Sequence, residues 1–225
     1  MEKSWVLSSS IGRKFAMALS AIFLLVFLVQ HLIINLSSVF SEEAFNELSH
    51  FMGTNPLIQF VLQPVLIIGI LFHFIMGIVL ELKNRNARGG SYAYSAGNAN
   101  ASWVSKNMII SGAVILLFLG LHMYGFWWHE MQVKYISPNE KLASDANRYY
   151  TELVAYFKNP IFVSFYVLSF LLLGLHLNHG FQSSFQSVGM QNKKYKSLIK
   201  SVGTAYSILV PFGFALVAIF HFLSN

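Results

Sequence analysis

The sequence of 225 residues contains no cysteine and few charged residues. Without cysteine, the chain cannot bind zinc through thiolates, ligate an iron–sulfur cluster, or attach a haem covalently through a C-x-x-C-H motif. Charged residues make up 11% of the chain, whereas a soluble domain usually carries about 25%. Because 55% of the residues are hydrophobic, the chain cannot cover itself with a polar surface. This composition excludes an ordinary soluble domain and indicates a membrane protein.

The few charges are clustered, so long segments of the chain carry none. Five charge-free runs each exceed the ~20 residues that cross a bilayer core as an α-helix. They cover residues 15–41, 48–80, 107–129, 159–192 and 201–225. We therefore expect an all-α membrane protein, a single domain over residues 1–225 with five transmembrane helices. The predicted helices cover about residues 13–38, 56–83, 104–128, 160–186 and 200–223.

Lysine and arginine are distributed unevenly between the two sides of the predicted bundle. Of the fifteen, all but four lie in the N-terminal segment, between helices two and three, or between helices four and five. The four on the other side are Lys134, Lys141, Arg148 and Lys158. The positive-inside rule then predicts a cytoplasmic N-terminus and an external C-terminus. This orientation explains the net charge of +6, and no nucleic-acid partner is expected.

Each of the first four predicted helices carries a histidine deep within the span. Ionisable side chains are costly in a membrane, so by default they mark function. At a rise of about 1.5 Å per residue, His31 and His122 lie roughly 25 Å from the cytoplasmic ends of their helices. His73 and His176 lie only about 15 Å from those ends. The four histidines therefore form two level pairs, which is the geometry of two stacked haems, each held by two imidazoles.

Neighbouring glycines and the remaining histidines leave alternatives open. A porphyrin needs small residues nearby, and glycines lie within about a turn of three of the four histidines: Gly69, Gly77, Gly125 and Gly180. Membrane glycines also commonly aid helix packing, and a single buried histidine often only bonds a neighbouring helix. A metal transporter or a proton relay would want carboxylates as well, and the charge-free runs contain none. The histidines expected not to be ligands are His50, His129, His179 and His221.

Several motifs resemble the membrane-anchor cytochrome b subunit of succinate:quinone oxidoreductase, in the single-subunit, two-haem form shared with some quinol:fumarate reductases. The most specific are RK at 13–14, QHLIIN at 30–35, LFHFIMGIVLELK at 71–83 and LHLNHG at 175–180, with GLHMYGFW at 120–127 in the third position. The resemblance spans nearly the whole chain. It implies that His31 and His122 bind the haem nearer the outside. It likewise implies that His73 and His176 bind the haem nearer the cytoplasm.

The resemblance also implies the partners and the reaction. A flavoprotein with FAD and an iron–sulfur subunit would dock on the cytoplasmic face of a bacterial cytoplasmic membrane, and this chain would not itself oxidise succinate. Electrons would pass through two haems b to a quinone, expected to be menaquinone, or in reverse for fumarate reduction. The candidates for the inner haem propionates are Arg13, Lys14, Trp103 and Lys106, and those for the quinone site are Glu47 and His50.

Two other functions remain compatible with the sequence. One is a different two-haem cytochrome b, such as a hydrogenase or formate dehydrogenase anchor or an ascorbate-reducible cytochrome. The other is a transporter that contains no haem and uses the histidines for a metal ion. Copurifying subunits would separate the first from a succinate dehydrogenase anchor, and a colourless protein would favour the second.

Overall fold

The computed structural model describes residues 9–87, 108–190 and 192–224. These residues form helices and no strand, and five of the helices are long and apolar enough to cross a membrane. They are α1 (Ser10–Phe40), α3 (Gln63–Ala87, preceded by the π-helical Ile58–Leu62), α4 (Met108–Ile136), α7 (Pro160–Ser187) and α8 (Lys193–Leu223). The predicted all-α class with five membrane-spanning helices is confirmed.

Three shorter helices join the spans. They are α2 (Glu42–Thr54), α5 (Glu140–Ala143) and α6 (Arg148–Phe157). Glu47 and His50, which fall between two predicted spans, both lie on α2. The Ser41 side chain accepts a hydrogen bond from the backbone N–H of Ala44, and two glutamates occupy the first turn. Both features stabilise a helix N-terminus.

Helix α4 extends to Ile136, beyond the end predicted near residue 128. The charged residues that suggested an end, Glu130 and Lys134, instead pair with each other at 2.5 Å on one face of the helix. Residues Met123–Trp128 and Gln132–Ile136 are π-helical, so these turns are wider than those of an α-helix. Residues 104–107, where the third helix was predicted to begin, lie outside the described residues.

The first four membrane helices form a bundle. In this bundle α1 packs on α3, α3 on α4, α4 on α7, and α7 on α1. Consequently α1 stands diagonally opposite α4, and α3 diagonally opposite α7. Helix α8 packs outside this ring against α1 and α7.

Helices α2 and α6 pack against each other at one end of the bundle, which we call the capped end. The core there is aromatic, with Phe170 stacked on Phe214 of α8 at 5.5 Å between ring centroids. Phe45 of α2 and Leu153 of α6 are buried in the same cluster. The opposite end, which we call the basic end, holds the first turn of α1, the end of α3 and the start of α8. The two ends of the bundle therefore differ in both packing and charge.

Candidate functional site

His31 and His122 meet across the bundle near the capped end. Their ring centroids lie 5.7 Å apart, and the ring planes are 85° apart. Aromatic rings of their own helices support both imidazoles: Phe27 stacks on His31 at 5.3 Å, and Phe118 stacks on His122 at 5.8 Å. Because α1 and α4 are diagonal helices, the two imidazoles approach each other from opposite sides of the interior.

His73 and His176 form the second pair, from the other two diagonal helices. Their ring centroids lie 6.5 Å apart, and the ring planes are 67° apart. Ser20 of α1 contacts His73, and eleven residues separate Ser20 from His31 on that helix. At about 1.5 Å per residue, the two pairs therefore lie at levels roughly 16 Å apart along the bundle axis. The structure brings the four predicted residues together in the pairs that the sequence depth suggested.

Three of these four imidazoles have a hydroxyl group beside Nδ1. Nδ1 of His73 lies 3.1 Å from the Ser20 hydroxyl, and Nδ1 of His176 lies 3.1 Å from the Ser111 hydroxyl. Nδ1 of His122 lies 3.4 Å from the Tyr166 hydroxyl. A histidine that is bonded through Nδ1 can offer Nε2 to a metal, and its hydrogen-bond partner orients the ring.

Two of the histidines expected not to be ligands make their hydrogen bonds through the other nitrogen. Nε2 of His129 lies 3.3 Å from a carboxylate oxygen of Glu152. Nε2 of His221, a residue only 1% exposed, lies 2.8 Å from the Ser38 hydroxyl. His221 thereby joins α8 to α1. His50 is exposed on α2, and His179 is partly buried on α7, one turn from His176.

The donor set of each pair fits a haem iron. Two imidazoles bound to one metal from opposite sides, with metal–nitrogen bonds of about 2 Å, place their ring centroids roughly 6 Å apart. The observed separations of 5.7 and 6.5 Å bracket that value. Axial imidazoles can also rotate about the metal–nitrogen bond, so the interplanar angles impose no conflict. The apolar surroundings keep the imidazoles neutral, as metal ligation requires.

The residues proposed for the propionates and the quinone lie apart from these pairs or outside the described chain. Arg13 is partly buried and Lys14 is exposed, both in the first turns of α1. Trp103 and Lys106 lie outside the described residues. Glu47 and His50 are both exposed on α2.

A cleft of about 220 Å³, which the sequence did not predict, lies between the first turns of the second membrane span and the far part of α4. Its polar lining consists of Gln59, Gln63, Trp127 and Tyr135, and the remaining lining is apolar. The Tyr135 hydroxyl donates to the side-chain carbonyl of Gln59 at 3.3 Å. The sequence contains two features that could have indicated this cleft. One is the pair of glutamines in an otherwise apolar span, and the other is the aromatic sequence FWW at 126–128.

A charged cluster at the capped end was also missed. Arg148 is 1% exposed and forms an ion pair with Glu130, which also accepts a hydrogen bond from Tyr149 at 3.0 Å. Burial alone would lower the pKa of Arg148, but the Glu130 carboxylate and the bond to Tyr149 raise it overall. Burial and the same carboxylate raise the pKa of Tyr149 to about 12. The ion pair between Arg148 and Glu130 therefore stays charged and holds α6 against α4.

One of the glycines near the histidines has a packing role. A Cβ on Gly125 would lie 2.6 Å from the ring of Tyr156, so only glycine lets this tyrosine of α6 approach α4. The Tyr156 hydroxyl in turn lies 3.4 Å from that of Tyr166, the partner of His122. Gly125 therefore leaves room for Tyr156, which contacts the tyrosine beside His122.

One comparison with known proteins gives a relative. The chain is 22% identical over 158 residues to the succinate dehydrogenase cytochrome b558 subunit of Bacillus subtilis (strain 168), an alignment that covers 70% of this chain and 69% of that protein. No family model matches, and no solved structure matches. With five apolar helices and this relative, the chain is a multi-pass membrane protein. The comparison confirms its resemblance to the cytochrome b membrane-anchor subunit of succinate dehydrogenase.

Proposed function

We propose that this chain is the cytochrome b membrane anchor of a bacterial succinate:quinone oxidoreductase, embedded in the cytoplasmic membrane. The observation that carries the proposal is the presence of two histidine pairs on diagonal helices, at two levels of one bundle. The similarity to a succinate dehydrogenase cytochrome b558 subunit supports it. His31 and His122 would hold one haem b, and His73 and His176 would hold a second.

The chain's own residues orient and enclose the two metal-binding pairs. A haem b held by two imidazoles would supply one-electron transfer rather than oxygen binding. Around the first pair, Phe27, Phe118 and Phe214 contact the imidazoles and exclude water. Around the second pair, Ser20 and Ser111 orient the rings. Exclusion of water and fixed ring orientation both limit reorganisation when the charge of a site changes.

The basic end is the face to which an iron–sulfur subunit would bind, with a flavoprotein carrying FAD beyond it. By the positive-inside rule this end faces the cytoplasm. Its described surface combines exposed lysines with exposed apolar side chains at the start of α8, including Lys194, Lys196, Leu198 and Lys200. A mixed apolar and cationic surface of this kind suits a protein partner better than lipid alone.

The cleft at the other end of the bundle is the quinone site that the geometry favours over Glu47 and His50. Its volume of about 220 Å³ is below the roughly 300–1,000 Å³ of sites for drug-sized ligands. A quinone ring would therefore enter alone and leave its isoprenoid tail in the lipid. Gln63 offers a hydrogen-bond donor for a quinone carbonyl, Tyr135 positions the Gln59 side chain in the same cleft, and Trp127 offers an aromatic face. Trp127 follows His122 on α4, so the cleft adjoins the level of the first pair.

The proposal is tested by purifying the chain with its partners in mild detergent. Reduced-minus-oxidised optical spectra and pyridine haemochrome analysis should give two haems b per chain. Flavoprotein and iron–sulfur subunits should copurify, and the complex should reduce quinone with succinate. A preparation without haem would overturn the proposal. Haem with different companion subunits would instead assign the chain to a hydrogenase or formate dehydrogenase anchor.

A haem-free metal transporter has less support. Among residues 9–87, 108–190 and 192–224, no group of three or more histidine, aspartate or glutamate side chains lies close enough to hold a metal ion. The four histidines that face the centre of the bundle come in pairs, and two is the number of imidazoles that a haem iron takes.

A further inference from the structure

Ser20 and Ser111 make the same two contacts at equivalent places in the bundle. The Ser20 hydroxyl donates to the backbone carbonyl of Met17 at 2.8 Å and lies 3.1 Å from Nδ1 of His73. The Ser111 hydroxyl donates to the carbonyl of Met108 at 2.9 Å and lies 3.1 Å from Nδ1 of His176. Each serine thus contacts a histidine on a neighbouring helix of the ring.

The two contacts together favour one tautomer of each imidazole. A serine hydroxyl has one proton, and here it goes to the carbonyl three residues earlier. Towards the imidazole the oxygen is then an acceptor, which favours a proton on Nδ1 of His73 and of His176. In a neutral imidazole this leaves the lone pair on Nε2, the nitrogen needed for an iron.

The spacing in the sequence repeats between the two helices. Eleven residues separate Ser20 from His31, and eleven separate Ser111 from His122. Eleven residues are about three turns of an α-helix, so the serine and the histidine lie on one face. Helices α1 and α4 therefore each supply a histidine to one pair and an orienting hydroxyl to the other.

We propose that Ser20 and Ser111 are positioning residues for the haem held by His73 and His176, setting both ring orientation and reduction potential. This inference rests on the proposed function. A hydrogen bond accepted from Nδ1–H makes the imidazole a stronger base, and a more basic ligand favours the oxidised iron. Removing the hydroxyls should therefore raise the reduction potential of this haem.

The experiment compares Ser20→Ala, Ser111→Ala and the double variant in the intact complex by potentiometric titration of each optical component. The component that belongs to His73 and His176 is identified by its loss in His73→Ala. Its potential should rise in each single variant and rise further in the double variant. The affinity for this haem should fall by roughly tenfold or more in the double variant, and the other component should not move.

Two further variants separate positioning from simple loss of packing. Ser20→Thr and Ser111→Thr keep a hydroxyl that can bond the same carbonyl, so they should restore the original potential. Ser38→Ala is the matched control, because the Ser38 hydroxyl also donates to a backbone carbonyl, that of Asn35, and contacts a histidine outside both pairs, through Nε2 of His221. It should leave both potentials unchanged.

Several outcomes overturn the inference while leaving the proposed function intact. They are two haems with unchanged potentials in the alanine variants, an equal shift of both components, or threonine variants that behave like alanine. Loss of both haems from the alanine variants, with both retained in Ser38→Ala, would also overturn it by reducing the serines to a structural role. Selective loss of the one haem would support it. A wild-type complex without haem would instead refute the proposed function itself.

Discussion

His31 and His122 face each other across the bundle from diagonally opposite helices, with ring centroids 5.7 Å apart. No backbone contact between α1 and α4 is needed for this approach, since each of these helices packs on α3 and α7. In a ring of four helices, side chains from diagonally opposite helices can therefore meet at the centre. The same relationship holds for His73 and His176.

The pairing predicts how haem is lost from variants. His31→Ala and His122→Ala should remove one and the same optical component, and His73→Ala and His176→Ala should remove the other, because one missing axial ligand weakens a whole site. The measurement is haem per chain with low-temperature difference spectra, expected to fall from two to one. His179→Ala, one turn from His176, is the control and should keep both haems. If it loses a haem and His176→Ala does not, His179 is the ligand.

The cleft predicts the residues that bind quinone. Gln63→Leu removes a donor and Tyr135→Phe releases the Gln59 side chain. Each should raise the KM for quinone by about 5-fold, since a lost hydrogen bond costs about 1 kcal/mol. Haem content should not change. Succinate:quinone reductase activity is measured against quinone concentration, with Tyr124→Phe as the control because Tyr124 is 70% exposed on α4 outside the cleft. If only Glu47→Gln or His50→Ala raises KM, the quinone binds at α2 instead.

Gly125 predicts a steric effect close to His122. In Gly125→Ala the new Cβ would meet the Tyr156 ring at 2.6 Å, and overpacking of this kind costs about 1–3 kcal/mol. The melting temperature in detergent should fall, and the spectrum of the His31 and His122 component should change. Gly120→Ala on the same helix has nothing within 4 Å of its Cβ and should leave both unchanged. Equal behaviour of the two variants would contradict the packing role.

The charged cluster predicts a large cost for removing one charge. Glu130 pairs with Lys134 at 2.5 Å and with the buried Arg148. In Glu130→Gln, Lys134 loses this counter-charge and Arg148 keeps only the more distant Glu152 at 3.8 Å. Breaking a buried ion pair costs about 3–5 kcal/mol. Thermal unfolding of the purified complex measures the loss. Glu81→Gln is the control because its pair with Arg85 is largely exposed, and exposed pairs contribute about 0–1 kcal/mol. A similar small effect at both positions would show that Glu130 is well hydrated.

The absence of cysteine makes the orientation directly testable. Single variants Ser144→Cys and Met190→Cys place a thiol at exposed positions towards the capped and basic ends, respectively. In intact cells, a membrane-impermeant maleimide should label Ser144→Cys and should reach Met190→Cys only after the membrane is opened. The wild type is the unlabelled control. The reverse pattern would place the N-terminus outside.

The sequence by itself determined the five spans, because a bilayer core demands about twenty uncharged residues from each helix. It also determined the two levels of histidines, since a constant helical rise converts residue number into depth. The length of α4 was underestimated because a charge normally ends a membrane span. The pairing of Glu130 with Arg148 is a tertiary contact that the sequence does not reveal.

Only the tertiary structure decided which helices are diagonal and which side chains surround the histidines. Ser20 meets His73 across 53 residues, and Ser111 meets His176 across 65. The cleft joins the second membrane span to α4, and the charged cluster joins α4 to α6. Such contacts depend on how helices are placed and rotated in the bundle. Periodicity and composition describe each helix alone, so packing between helices had to supply the rest.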